Sequence, residues 1–245
     1  MKAMILAAGE GTRLRPLTLN TPKVMLPIAG KPLLAYILEL LRFHNVTEVA
    51  INLHHLPQGV MDWLGSGERF GIHVTYSVEN PILGTAGALT RLRDFFDDTF
   101  VVLYGDILTD LNISSLVGFH QAKGALATVA LTEVDNPSNY GIAEVDDEYR
   151  ILRFVEKPAP GTISSKLGNT GIYVLQPEVI DYIPSDTFCD FGYDIFPALL
   201  SQGARIYGYL TKDYFLDTGT VENYYRAERD LLEGRFSPKR ASSTR

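Results

Sequence analysis

The strongest constraint in this sequence is a short apolar run that ends on two glycines. The run from Lys2 to Ala8 predicts a buried strand, and Gly9 and Gly11 follow it at once. Glycines directly after a strand let the backbone approach a bound group closely, and successive N–H groups can point at anionic oxygens. Arg13 adds a guanidinium that fits phosphate geometry. The turn is therefore predicted to hold a phosphate chain, with an ordinary strand-to-loop turn as the alternative.

This glycine turn differs from two common nucleotide-binding patterns. Arg13 and Leu14 stand where a dinucleotide-binding fingerprint would have its third glycine. A Walker loop would continue into Gly-Lys-Ser or Gly-Lys-Thr, and neither follows. The turn is therefore predicted to be a phosphate-binding loop of another kind.

Apolar strand candidates alternate with amphipathic helix candidates over the first hundred residues. The predicted strands are Lys2–Ala8, Glu48–Leu53, Ile72–Val78 and Phe100–Tyr104, and the predicted helices are Leu33–Phe43, Gln58–Leu64 and Thr85–Phe96, with Thr85 as candidate N-cap. Such alternation is typical of a largely parallel sheet with helices on both faces, which binds ligands at the carboxyl ends of its strands. Those ends lie at Gly9 and at Gly105-Asp106.

The second half contains more strands with short connections. Strands are predicted at Leu126–Val134, Gly141–Val145, Ile151–Glu156, Gly171–Leu175, Arg205–Leu210 and Tyr214–Leu216, and helices at Tyr193–Gln202 and Val221–Glu233. One domain is predicted over residues 1–236, followed by a disordered tail over 237–245. The aromatic residues Tyr224, Tyr225 and Phe236 leave open whether the last helix packs on its own domain or on a second subunit.

Composition excludes several classes of protein. With 46% hydrophobic and 21% charged residues the chain is globular in type. A net charge of −7 without a basic stripe disfavours nucleic acid as a partner. The single cysteine, Cys189, cannot form a disulfide framework, which fits a reducing cytoplasm. No uncharged apolar run approaches the length of a membrane span. The expectation is a cytoplasmic protein with neither a nucleic-acid nor a membrane partner.

Several motifs together carry a resemblance to a known family. The stretch 6–18, followed by Pro22-Lys23 and Leu26-Pro27, resembles the signature of the sugar-1-phosphate nucleotidylyltransferases. Further matches occur in the same order at Leu83–Leu89, Gly105-Asp106, Tyr140-Gly141, Glu156-Lys157-Pro158, Asn169-Thr170-Gly171 and Asp217–Thr220, so the resemblance extends to about Glu233. It implies a three-layer αβα sandwich with a mixed, mostly parallel central sheet.

The resemblance also implies a reaction. A nucleoside triphosphate and a sugar-1-phosphate would give an NDP-sugar and pyrophosphate. The stretch from Gly84 to Leu89 is most similar to mannose-1-phosphate guanylyltransferases, which favours GTP with mannose-1-phosphate. The alternatives are UTP, dTTP or CTP with glucose-1-phosphate, a heptose-1-phosphate or an amino-sugar-1-phosphate. A silent paralogue that only binds nucleotide sugar or regulates a partner enzyme is disfavoured, because the charged residues of the motifs are all present.

Asp106 and Asp217 are candidates for a metal site. Each follows a short apolar strand, and two strand-end carboxylates can converge on Mg²⁺, which also takes phosphate oxygens and water. Either residue could instead close a turn or cap a helix. The resemblance assigns both positions to metal binding and therefore implies Mg²⁺ as the cofactor.

The same resemblance assigns the remaining site residues. Arg13, Lys23 and Asp106 form its catalytic set, in which Arg13 holds the β- and γ-phosphates and Lys23 offsets charge between the substrates. Lys157 would hold the sugar phosphate and Glu156 the sugar hydroxyls, with an exposed charge pair as the alternative. Around the sugar the resemblance adds Gly141 and Asn169, and around the nucleotide it adds Ala7, Ala8, Gly9, Gly11, Thr12, Gly84 and Thr85.

Glu79 is the candidate for reading the base. It lies five residues before Gly84, at a predicted strand end. A carboxylate can accept from both N1–H and N2–H₂ of guanine, whereas uracil and thymine offer one donor on that edge. The alternative is an exposed loop glutamate.

Overall fold

The computed structural model describes residues 1–239, and these residues form two compact units. The first unit comprises Met1–Ile82, Leu103–Ile113 and the described residues from Asp213 on; the second comprises Leu83–Val102 and Ser114–Lys212. Neither unit is a contiguous stretch of sequence, and the single domain over 1–236 stays a prediction. Residues 240–245 of the predicted tail lie outside the described residues.

Helices lie between most strands of the first half of the chain, whereas several strands follow one another in the second half. The strands are β1 (Lys2–Leu6), β2 (Pro27–Ile28), β3 (Lys31–Pro32), β4 (Glu48–Leu53), β5 (His73–Val78), β6 (Phe100–Tyr104), β7 (Ile107–Thr109), β8 (Ala127–Glu133), β9 (Gly141–Val145), β10 (Ile151–Glu156), β11 (Leu167–Leu175), β12 (Ile206–Leu210) and β13 (Phe215–Asp217). The helices are α1 (Leu33–Phe43), α2 (Pro57–Leu64), α3 (Gly84–Gly87), α4 (Ile113–Lys123), α5 (Phe196–Ser201) and α6 (Val221–Leu232). The predicted α/β fold with a mixed, mostly parallel sheet and flanking helices is confirmed.

In the first unit, three parallel strands bring their carboxyl ends to one edge. β1 pairs with β4 from Lys2↔Glu48 onward, and β4 pairs with β5 from Glu48↔His73 onward. The middle residues of β1, Ala3–Ile5, are fully buried, which explains why this strand reads as an uninterrupted apolar run. The glycine turn after β1 and Glu79 after β5 therefore leave the sheet at the same edge.

A second, smaller pairing in the first unit is antiparallel. β13 pairs with β7 in the register Leu216↔Leu108 and Asp217↔Ile107. α6 covers this pair through a buried apolar cluster that includes Leu108, Leu216 and Phe236. Phe236 is only 2% exposed, so this ring packs within its own unit.

The second unit is mostly antiparallel. β9 pairs with β10, and β11 pairs with both β8 and β9, all antiparallel, whereas β12 adds to β8 in parallel. The pairing of β11 with β8 shifts register between Asn169 and Tyr173, which marks a bulge.

Several boundaries differ from the sequence prediction. Thr85 was predicted to be an N-cap, but it lies inside α3, and Leu83 is at the N-cap position. The helix continues as a 3₁₀ helix over Ala88–Phe95. The helix predicted at Tyr193–Gln202 begins as a π-helical turn at Phe191–Ile195 before α5. Helix α4 was not predicted. Among residues 1–239, no helix has both the length and the apolar character needed to cross a bilayer.

A buried histidine links three elements of the second unit. His120 on α4 is fully buried, and its Nδ1 lies 2.9 Å from Thr128 Oγ1. Gln176 Nε2 lies 2.8 Å from Nε2 of the ring, so Nε2 accepts and the proton sits on Nδ1. Burial lowers the pKa of His120 to about 4. The neutral ring is therefore the folded form.

We expect the stability of the protein to fall on acidification through this histidine. Because the pKa is lowered in the folded state, the unfolded chain binds a proton first, and stability is lost as the pH falls from about 6.5 toward about 4. The wild type should lose roughly 2 kcal/mol more than His120→Gln between about pH 7 and pH 4.5, measured by urea unfolding. The exposed His73→Gln should retain the wild-type pH dependence; equal slopes in all three proteins would contradict this assignment.

Candidate active site

The glycine turn is shaped by close backbone approach. Gly105 donates its N–H to the Leu6 carbonyl at 2.8 Å, and a methyl group on Gly105 would stand 2.8 Å from the same oxygen. Gly11 has φ +64°, and a methyl group there would stand 2.8 Å from Thr18 Cγ2. A methyl on Gly9, by contrast, would meet nothing within 4 Å. The open side of the turn is thus at Gly9, as a phosphate-binding role requires.

Four charged side chains meet beside this turn. Two 3₁₀ turns, at Thr12–Leu14 and at Lys23–Met25, carry Arg13 and Lys23. Lys23 Nζ makes an ion pair with Asp106 Oδ2, and the two side chains are mostly buried. A methyl group on Gly219 would stand 2.7 Å from Arg13 Nη2, 2.7 Å from Asp217 Oδ1 and 2.9 Å from Lys23 Nζ. The structure therefore brings together the two cations and two aspartates that the sequence singled out.

Backbone contacts hold the two aspartates next to each other. β13 ends on Asp217 opposite Ile107, one residue from Asp106. Thr218 donates from its N–H and its hydroxyl to the Asp106 carbonyl, at 2.9 and 2.8 Å. Asp217 Oδ1 accepts from the Gly219 N–H at 2.7 Å, so this carboxylate does close the turn, and metal binding by Asp217 stays a prediction beside that role. The cap of α6 is Thr220, whose side chain accepts from the Asn223 N–H.

The electrostatics of this group favour a cation. Burial raises the pKa of Asp217, and the neighbouring Asp106 carboxylate raises it further. Lys23, the Gly219 N–H and Arg13 lower the pKa but do not cancel these two effects. Two carboxylates in mutual repulsion form a site that a divalent cation would relieve. Among the described residues no group of three or more His, Cys, Asp or Glu is arranged for a metal. Two carboxylates plus phosphate oxygens still fit Mg²⁺, which uses one or two protein carboxylates.

Glu79 is buried, so the alternative of an exposed loop residue is wrong. It is 1% exposed, and Oε1 accepts from Asn52 Nδ2 at 2.8 Å. Asn52 Oδ1 in turn accepts from the Ala7 N–H at 2.8 Å. Base reading by Glu79 stays a prediction, and the structure adds a chain of hydrogen bonds from Glu79 to the start of the glycine turn. Asn52 was missed, although a polar residue inside the apolar run of β4 is a signal for it.

In the second unit, Glu156 lies between two glycines. A methyl group on Gly141 or on Gly192 would overlap Glu156 Oε2. Lys157 Nζ lies 4.0 Å from Glu156 Oε1. The alternative of an exposed charge pair fits the Lys157 side chain, which is 55% exposed, but not the Glu156 side chain, which is 16% exposed. Burial raises the pKa of Glu156. The charge of Lys157 lowers this pKa, and the charge of Asp190 raises it. Gly192 was also missed by the sequence reasoning.

The remaining predicted residues have internal partners. Lys157 is in the left-handed region at φ +46°, with its N–H donated to the Tyr140 carbonyl at 3.0 Å. Such a backbone conformation is uncommon outside glycine and concentrates at functional sites. Asn169 donates to Tyr173 Oη at 2.9 Å and accepts from the Gly171 N–H at 2.8 Å. Its role near the sugar stays a prediction.

The turn at Gly84–Gly87 carries Gly84 and Thr85, which the resemblance places around the nucleotide, and its backbone N–H groups are donors that it could offer there. Three of these groups are used within the second unit: Thr85 donates to Asp190, and Ala86 and Gly87 donate to the Cys189 carbonyl. Binding of nucleotide by Gly84 and Thr85 stays a prediction, and it cannot rest on these three bonded N–H groups.

Comparison with known proteins places these residues in a family. The pattern that defines the family described as nucleotidyl transferase matches residues 2–234. This chain belongs to the nucleotidyl transferase family.

Curated members of the family differ in the base that they are named for. The chain is 44% identical to a UTP–glucose-1-phosphate uridylyltransferase of Synechocystis, over 95% of this chain and 63% of that protein. It is 35% identical to a mannose-1-phosphate guanylyltransferase of Mycobacterium tuberculosis, over 95% and 65%. The chain thus spans just under two thirds of the length of these relatives.

A solved structure is also similar. HddC from Yersinia pseudotuberculosis, complexed with GMP-PN, matches with a TM-score of 0.80 and 28% identity, covering 94% of this chain and 99% of that one. The predicted family is confirmed, and the similarity to both guanylyl and uridylyl relatives leaves the base undecided.

We expect Asp217→Asn to stabilise the unliganded protein. Burial and Asp106 raise the pKa of Asp217, so its ionised carboxylate costs free energy in the folded protein, and removing the charge relieves the repulsion. Asn can still accept from the Gly219 N–H, so the turn is retained. The thermal midpoint without nucleotide should rise for Asp217→Asn and stay unchanged for Asp62→Asn on the exposed face of α2. A lowered midpoint would mean that attraction to Lys23 and Arg13 outweighs the repulsion.

Proposed function

We propose that this chain transfers a nucleotidyl group from a nucleoside triphosphate to a sugar-1-phosphate and releases pyrophosphate. The supporting observation is the meeting of Arg13, Lys23, Asp106 and Asp217 beside a glycine turn. Cations next to a phosphate-binding turn suit a reaction between two anions, because such a reaction depends on positioning and charge stabilisation. Family membership supports the same reaction class.

In this proposal the first unit binds the triphosphate. N–H groups of the glycine turn and the Arg13 guanidinium hold the β- and γ-phosphates and stabilise the leaving pyrophosphate. Lys23 neutralises charge where the sugar phosphate oxygen attacks the α-phosphorus in line. Asp106 and Asp217 would hold Mg²⁺, which neutralises phosphate charge when bound.

The second unit supplies the groups for the sugar phosphate. Lys157 binds the phosphate in this proposal, which is supported by its half-exposed cationic side chain and its left-handed backbone conformation. The Glu156 carboxylate accepts from sugar hydroxyls in this proposal, because it is mostly buried and its Oε2 lies against two glycines that bring no side chain of their own to it. Gly141 and Asn169 complete the proposed set.

Two substrate pairs remain within the proposal. GTP with mannose-1-phosphate is favoured by the buried carboxylate of Glu79 and by the guanylyltransferase relative. UTP with glucose-1-phosphate is favoured by the 44% identity to the Synechocystis uridylyltransferase. A cytoplasmic location is part of the proposal and is supported by a single, buried cysteine.

A substrate screen tests the proposed function. The four nucleoside triphosphates are combined with a panel of sugar-1-phosphates and Mg²⁺, and pyrophosphate release is measured. At least one pair should react, and Asp106→Asn should reduce its kcat by about a hundredfold or more. Absence of pyrophosphate release for every pair, with nucleotide binding retained, would support the silent paralogue.

We expect Arg13 and Lys157 to affect different substrates. Arg13→Ala should raise the KM for nucleoside triphosphate by about tenfold or more, and Lys157→Ala should do so for sugar-1-phosphate. The matched controls are Arg15→Ala, which loses an exposed ion pair to Glu10, and Arg153→Ala on the exposed face of β10. Equal effects of both variants on both substrates would overturn the assignment of one residue to each phosphate.

We expect Glu79→Gln to change the choice of base. The variant keeps an acceptor for Asn52 but places a donor where guanine also donates, which should cost ~1–3 kcal/mol for GTP. The ratio of kcat/KM for GTP over UTP should therefore fall by about fivefold or more. The exposed Glu68→Gln serves as the control. An unchanged ratio would mean that Glu79 does not read the base and serves only as the hydrogen-bond acceptor for Asn52.

A further inference from the structure

A set of hydrogen bonds within the second unit joins the turn Gly84–Gly87 to the segment 189–191. The N–H groups of Ala86 and Gly87 donate to the Cys189 carbonyl at 2.8 and 3.0 Å. A methyl group on Gly84 would stand 2.6 Å from the same oxygen, so the two backbones are in direct contact. The segment predicted to bind nucleotide is therefore fastened to a second segment that the motifs did not include.

Asp190 is the centre of this contact. Its Oδ1 accepts from both the N–H and the hydroxyl of Thr85, at 3.0 and 2.8 Å. The Thr85 hydroxyl in turn accepts from the Phe191 N–H at 3.0 Å. The Asp190 N–H donates to Asp194 Oδ2 at 2.8 Å. One carboxylate and one hydroxyl thus connect both segments.

The same residue begins the wide turn that contacts Glu156. The Asp190 carbonyl accepts from the N–H groups of Asp194 and Ile195, at 3.0 and 3.2 Å, and this pattern opens the π-helical turn at Phe191–Ile195. Gly192 lies in that turn, and its Cα packs so closely on Glu156 that a methyl group would overlap the carboxylate. π-Helical turns are rare and often mark functional sites. The position of the turn therefore decides how much room the Glu156 carboxylate has.

Asp190 also acts on Glu156 through its charge. The pKa of Glu156 is raised by burial, lowered by Lys157 and raised again by Asp190. Lys157 and Asp190 are thus the charged residues whose effect on this carboxylate is resolved, and they act in opposite directions.

We propose that Asp190 is a positioning residue that, through Thr85 and the turn at Phe191–Ile195, sets the Glu156 carboxylate in the geometry that binds the sugar. This inference rests on the proposed function, because it assumes that Glu156 contacts the sugar. It assigns a role to a residue outside the motifs that carry the resemblance and gives Thr85 a second role beside its predicted contact with nucleotide.

The first experiment removes the hydroxyl bridge. Thr85→Val loses the two hydroxyl bonds, to Asp190 and from Phe191, and keeps the backbone bond to Asp190. Thr85→Ser keeps all three. Thr85→Val should raise the KM for sugar-1-phosphate by about tenfold, and Thr85→Ser should restore it. Amide hydrogen exchange over residues 190–195 should accelerate in Thr85→Val and stay at the wild-type rate in Thr85→Ser.

The second experiment removes the charge and keeps the bonds. In Asp190→Asn, Oδ1 can still accept from Thr85, so the turn should stay in place. Without the Asp190 charge the pKa of Glu156 falls, and Glu156 stays ionised to lower pH. The acid limb of the pH profile of KM for sugar-1-phosphate should therefore shift to lower pH relative to the wild type.

The control is Asp186→Asn, which removes the charge of an exposed carboxylate paired with Arg91 at 3.1 Å in the same unit. It should change neither the KM values nor the pH profile. If Thr85→Val leaves the KM for sugar-1-phosphate unchanged, or if Thr85→Val and Asp190→Asn alter only the KM for nucleotide, the positioning role is wrong. A wild type that reacts with no substrate pair would instead contradict the proposed function, so the two failures are distinguishable.

Discussion

Two carboxylates, Asp106 and Asp217, are held next to each other against their mutual repulsion by a strand pair, two hydrogen bonds and a covering helix. The repulsion adds to burial in raising the pKa of Asp217. The backbone opposes it by the pairing of β13 with β7 and by the two bonds from Thr218 to the Asp106 carbonyl. α6 then closes over this pair through a buried apolar cluster. This charge arrangement lowers the stability of the unliganded protein and becomes favourable once a cation and phosphates are bound.

The second unit also holds a buried carboxylate, Glu156, and it does so between two glycines. Glu156 is a buried carboxylate, and burial without partners is costly. Gly141 and Gly192 approach it so closely that neither could carry a side chain. The backbone at both glycines therefore packs directly against the carboxylate. The same packing explains why the wide turn after Asp190 must be placed accurately.

Local patterns in the sequence were sufficient for most of the fold. α1 and β4 have the predicted bounds, because each is a strongly apolar segment whose period matches one type of structure. The class of chemistry was also visible, since the glycine turn, Arg13 and the two aspartates are residue types that bind phosphates and metal. α4 was missed because its sequence lacks a clear amphipathic period. Thr85 was misplaced because its hydroxyl is bonded to Asp190, far away in the chain, instead of capping its own helix.

The sequence by itself determined the order of elements, the family motifs and the residue types available for chemistry, because these depend on neighbours along the chain. Only the tertiary structure decided which of these residues meet. The contact of Asp217 with Asp106 depends on strand register, and the burial of Glu79 depends on its bond to Asn52 in another strand. The two glycines next to Glu156 come from segments far apart in sequence. The sequence alone does not show that these segments are close in space. Their proximity is decided by packing in the folded chain, because each side chain occupies only the volume that its spatial neighbours leave.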